Sequence, residues 1–87
     1  MNNALQLDPL VRGILSEQAR LNRDAFTLAA DADLYQAGMT SHASVNVMLG
    51  LEDAFDVEFP DHMLTRDVFE SIAAISAALD ELQKEAA

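Results

Sequence analysis

The chain has 87 residues, 51% of them hydrophobic, so it reads as a single small globular domain over residues 1–87 and not as a disordered tail. Fifteen acidic residues (15) against five basic ones give a formal net charge of -10. That sign is wrong for a nucleic-acid backbone or an anionic membrane surface and right for basic patches on other proteins. Cysteine is absent, which excludes disulfides, thiolate catalysis and Cys-based zinc sites; any thioester chemistry would take its sulfur from a cofactor.

No apolar run reaches the length of a bilayer span. Met1-Asn2-Asn3-Ala4 lacks the basic start and apolar stretch of a signal peptide, and a soluble cytoplasmic protein is expected. The acids are unevenly spread. Between Arg23 and Arg66 there is no Lys or Arg, while Asp24, Asp31, Asp33, Glu52, Asp53, Asp56, Glu58 and Asp61 all fall there. The central segment therefore carries an unbalanced negative field.

Taken in chain order, Asp8-Pro9 marks a helix start, with Asp as cap and Pro at the first helical position. Leu7, Leu10, Val11, Ile14, Leu15 and Leu21 recur at helical spacing, which predicts a first helix to about Leu21 or Asn22. Gly13 weakens that helix by about 1 kcal/mol. Arg23 to Thr40 reads as a long ordered loop, pinned to the core by Phe26, Leu28, Leu34 and Tyr35, with Gly38 as the turn before the next helix.

The second helix is predicted from Thr40 or Ser41 to about Phe55. Val47, Met48, Leu51 and Phe55 make its buried stripe. Val45 and Leu49 form a further apolar pair on the adjacent flank, more than one buried face requires. Phe59-Pro60 closes the hairpin, and a short irregular helix follows around Met63 to Phe69. Ser71 then caps a helix whose seam is Ile72, Ile75, Leu79 and Leu82. No segment shows strand alternation, so the expected fold is all-α: three main helices plus one short one, with the long loop between helices one and two.

Catalytic motifs fail on inspection. Asp31, Asp33 and Tyr35 faintly resemble the start of an EF-hand loop, but Gln36 stands where Gly is needed and His42 where Glu is needed. His42 and His62 lack a third ligand to complete a metal set. Ser41 and His42 are helix neighbours pointing about 100° apart, so they do not face each other as nucleophile and base. No Gly-x-Ser-x-Gly elbow and no phosphate-cradling glycine loop is present.

Ser41 has another use. It opens an apolar helix after a turn glycine, where a phosphodiester would meet free N–H groups and the positive end of the helix dipole. An ordinary N-cap serine accounts for the same local features and is the commoner case.

The run Asp33-Leu34-Tyr35-Gln36-Ala37-Gly38-Met39-Thr40-Ser41-His42, followed by Val45, Leu51-Glu52, Phe55 and Phe59-Pro60-Asp61, resembles the acyl carrier protein family. The likeness covers about residues 5 to 82, taken as the ordered core. The resemblance implies a small carrier bundle whose Ser41 receives 4′-phosphopantetheine from coenzyme A and holds an acyl-type cargo as a thioester on the arm's thiol. It implies docking through the helix after the serine, with Met39, Thr40, His42, Val45 and Leu49 in contact and Glu52, Asp53 and Asp56 meeting basic residues of partners. A wider core stripe is the other account of Val45 and Leu49.

Two departures from the family pattern stand out. Thr40 occupies the place where Asp is most frequent, and His42 follows the serine where Leu or Met is common. Ala43, Ser44, Asn46 and Gly50 also leave the first half of the docking helix without acids, which argues against a housekeeping fatty-acid role. The stretch from Gly38 to Glu52, with Leu64-Thr65-Arg66 further on, is similar to the discrete carriers loaded with amino acids by ligases related to truncated seryl-tRNA synthetases. That narrower likeness implies aminoacyl cargo and three partners: a phosphopantetheinyl transferase, an acyl- or aminoacyl-loading ligase and a downstream acyl acceptor enzyme. The protein itself is expected to be a monomer and not an enzyme. A fatty-acid or polyketide carrier is the alternative cargo class. An unmodified acidic helical adaptor is the alternative of another kind.

Overall fold

The computed structural model describes residues 4–86. The reading of Met1-Asn2-Asn3 falls outside them. Four α-helices and two single 3-10 turns make up the described chain: α1 (Ala4–Gln18), a turn at Ala25–Thr27, α2 (Ser41–Phe55), a turn at Asp61–Met63, α3 (Arg66–Phe69) and α4 (Ile72–Ala86). No strand occurs among the described residues, as the patterning predicts.

The first helix packs on both α2 and α4, and α3 packs on α4. Val11 and Leu15 from α1, Val47 and Leu51 from α2, and Ile72, Ile75 and Leu79 from α4 are sealed from solvent and share one core with Leu34 from the long loop. These are the positions that helical periodicity assigns to buried faces. The seam of α4 is as predicted, and its cap is Ser71, whose Oγ accepts a hydrogen bond from Ala74 N–H at 3.0 Å.

Helix α1 differs from expectation at both ends. Asp8-Pro9 is not its start. The helix runs back to Ala4 with Pro9 inside it, at the cost of the bond that an N–H there would have given the Leu5 carbonyl. Burial of Leu7 holds this extra turn on the core. Asp8 uses its carboxylate on Arg12 instead, 2.6 Å away, one helical turn on. The other end comes sooner, at Gln18, because Arg20 adopts a left-handed conformation at φ 55° that turns the chain back. Asn22 N–H then bonds to the Ala37 carbonyl at 2.9 Å, beside the site described below.

Main-chain and side-chain bonds fix the long loop. Arg12 Nη1 donates to the carbonyls of Ala25 and Leu28 at 2.8 and 2.7 Å. Leu34 N–H reaches the Glu70 carbonyl at 2.7 Å, and Ala73 N–H reaches the Ala30 carbonyl at 2.9 Å, tying the loop to the α3–α4 junction. Leu28 and Leu34 are buried and Tyr35 is half-buried, as expected. Phe26 is not a pin: it is 55% exposed, because the Ala25–Thr27 turn buries Ala25 in its place.

Candidate functional site

The loop delivers its last residues to α2 through Gly38, whose φ of +113° is a conformation that side chains disfavour. A Cβ there would also stand 3.2 Å from the Asn22 backbone nitrogen. This turn sends Met39 inward, where it is 3% exposed. Met39 is therefore a core residue and drops out of the expected docking set; a loop position carries no periodicity from which to foresee that.

Thr40 and Ser41 share the duties of the helix start. Thr40 is the N-cap, in an extended conformation, and its Oγ1 accepts from Ala43 N–H at 3.0 Å. The account of Ser41 as an ordinary N-cap is thereby overturned. Ser41 is the first residue of α2, exposed, with the cap bond already made by its neighbour. It lies at the positive end of a 15-residue helix, where the earliest N–H groups have no intrahelical acceptor. An exposed hydroxyl in that position can carry an esterified phosphate without disturbing the cap.

Beside Ser41 runs a groove of about 380 Å³. Ser44, Val45 and Met48 of α2 form one wall, Leu64, Thr65, Arg66 and Phe69 the other, with Tyr35 also lining it. The Arg66 guanidinium lies 3.9 Å over the centre of the Tyr35 ring, a cation–π stack. Sequence reading missed this pair. The only signal was that Arg66 ends the long base-free stretch.

Val45 and Leu49 are 50% and 52% exposed, so they lie outside the core, and the wider core stripe does not account for them. Thr40, His42 and Asp53 are exposed on the same helix, and Asp56 is its exposed left-handed C-cap. Glu52 is different. Its Oε2 accepts from Phe59 N–H at 2.9 Å, so one face of this carboxylate is engaged in closing the α2 hairpin.

An exposed helix-opening hydroxyl beside a groove is a position that can take a covalent group, and comparisons with known proteins give the family. The chain belongs to the phosphopantetheine attachment site family, whose model matches residues 9–79; its cofactor is 4′-phosphopantetheine. Among individual relatives, it is 49% identical over 69 residues to an aminoacyl carrier protein of Agrobacterium fabrum, covering 79% of this chain and 83% of the relative. An Agrobacterium tumefaciens carrier protein, solved with an engineered Bradyrhizobium japonicum glycine:[carrier protein] ligase and ATP, superposes with a TM-score of 0.83 at 45% identity, over 86% of this chain and 97% of that one. A glycylated carrier protein in complex with the Bradyrhizobium japonicum ligase superposes at 0.64 with 35% identity, over 86% of this chain and 96% of that one. No described helix is long and apolar enough to cross a membrane.

Proposed function

We propose that the protein is an aminoacyl carrier whose phosphopantetheine arm is esterified to Ser41. The arm, when bound, supplies the thiol that holds the cargo, which suits a chain without cysteine. The observation that carries this reading is the division of labour at the start of α2: Thr40 caps, and Ser41 presents an exposed hydroxyl at the positive end of the helix. Aminoacyl cargo is supported by the relatives, whose names and complexes concern aminoacyl carriers and a glycine:[carrier protein] ligase. The reading makes the protein a cytoplasmic monomer that is a substrate for other enzymes. A phosphopantetheinyl transferase modifies it, an amino acid:carrier ligase loads it, and an acceptor enzyme unloads it.

In this reading the exposed side chains of α2 are the docking surface. Val45 and Leu49 form the apolar centre, Thr40 and His42 flank the attachment point, and Asp53 and Asp56, with the outer side of Glu52, attract basic partner residues. The test is intact mass after co-expression with a phosphopantetheinyl transferase, then incubation with glycine, ATP and a glycine:[carrier protein] ligase. The expected result is one pantetheinyl adduct, lost in Ser41→Ala, that gains a glycyl group. An adduct that persists in Ser41→Ala refutes the attachment site, and a holo protein that accepts only fatty or polyketide acyl groups refutes the cargo.

A further inference from the structure

Arg66 has no part in the core, and the ion pairs among the described residues are Arg12–Asp8 and Lys84–Asp80, neither of which includes it. It nevertheless has a partner: its guanidinium carbon lies over the Tyr35 ring, 3.9 Å from the centre. A cation–π contact uses no hydrogen-bond acceptor, so the N–H donors in the guanidinium plane that point away from the Tyr35 ring remain available to an anion. Of the residues lining the groove with Ser41, Arg66 is the cation; the other polar ones are Tyr35, Ser44 and Thr65. Ser44 Oγ already donates to the Ser41 carbonyl at 2.7 Å.

We infer that Arg66, stacked on Tyr35, is a positioning residue for the phosphodiester formed at Ser41, drawing the root of the arm to the α3 side of the groove. This rests on Ser41 being the attachment point. The charge argument is simple: the chain carries a net -10, and no Lys or Arg occurs from Asp24 to Thr65. A new anion at Ser41 adds to that negative charge, and beyond the helix start itself this guanidinium is the cation in the groove to attract it. A planar fork also binds phosphate oxygens in pairs, which a point charge on a flexible stem does not. Tyr35 supplies the platform that keeps the fork from wandering over the surface.

The experiment uses the whole protein, modified by a phosphopantetheinyl transferase, as wild type, Arg66→Gln and Arg66→Lys. Intact mass is read first; absence of an adduct on the wild type refutes the Ser41 reading and not the role of Arg66. With the adduct present, the side-chain Nε–Hε resonance of Arg66 is compared between apo and holo forms, and the ³¹P resonance is compared across variants. Attachment is expected to shift the Arg66 resonance more than those of exposed Arg20 and Arg23. Arg66→Gln is expected to move the ³¹P line and lengthen its transverse relaxation, with Arg66→Lys closer to Arg66→Gln than to wild type. An Arg66 resonance indifferent to attachment, or a ³¹P signal unchanged in Arg66→Gln, overturns the inference. Wild-type behaviour in Arg66→Lys overturns the part played by stacking. Arg66 is exposed, so both variants are expected to fold, and the amide spectrum reports if either does not.

Discussion

The carboxylate of Glu52 accepts the backbone N–H of Phe59 at 2.9 Å, seven residues further along the chain. It thereby fixes where the chain leaves α2 and delivers Phe59 to the core, where its ring meets Phe69 with centroids 5.3 Å apart. Glu52→Ala strands that N–H, and a loss of about 1–2 kcal/mol in unfolding free energy is expected. Glu52→Gln keeps an acceptor and should lose less. Urea unfolding of both variants measures this, and equal stability of all three proteins refutes it.

It follows that Asp53 is the cleaner probe of partner docking, since it is exposed and outside that bond. Asp53→Lys is expected to slow loading several-fold at low ionic strength, with the difference from wild type shrinking as salt rises. Stability should be unchanged. Loading rates measured across a salt series check this; a deficit independent of salt argues against electrostatic attraction.

Thr40 stands where carriers most often have aspartate, and its geometry explains why the exchange is tolerated: both residues are good N-caps, and the task here is to accept Ala43 N–H. Thr40→Ala is expected to cost about 1 kcal/mol, and Thr40→Asp little or nothing. Thermal unfolding of the two variants decides it, the expected order of melting temperatures being Thr40→Asp above Thr40→Ala.

Two helical glycines should respond differently to alanine. A Cβ at Gly13 meets nothing within 4 Å, so Gly13→Ala is expected to add about 0.5–1 kcal/mol of stability from helix propensity alone. At Gly50 the Cβ would come 3.1 Å from Ile14 Cγ2 of the facing helix α1, and the propensity gain is expected to be cancelled by the shift Ile14 must make. Denaturant midpoints give the order directly, and a larger gain at Gly50 refutes the close approach.

The parts of the fold legible in the sequence are those where a cap and a periodic stripe coincide. Helix α2 was readable from Thr40 to Phe55, and α4 from Ser71 through Leu82, for that reason. At α1 the two signals conflict. Asp8-Pro9 looks like a start, yet Leu7 before it is needed in the core and pulls the helix backward. Its end was equally obscure, because a left-handed arginine has no sequence signature. At the site, two adjacent hydroxyls made the cap ambiguous, and only three-dimensional geometry assigns it to Thr40. The Arg66–Tyr35 stack joins residues on different elements, so no local pattern could reveal it.

The two main-chain bonds that tie the long loop to the α3–α4 junction, Leu34 to Glu70 and Ala73 to Ala30, have a consequence for how the molecule opens. They make the loop, the junction and the Tyr35 platform between them one cooperative unit, whose amide protons at Leu34 and Ala73 should exchange with solvent at a common rate. Peptide groups alone make these two bonds, so the exposed side chains of the loop, such as Phe26 and Gln36, can be replaced without breaking them. The outer surface is thus free to acquire new partners over evolutionary time while the frame that carries Ser41 stays where it is.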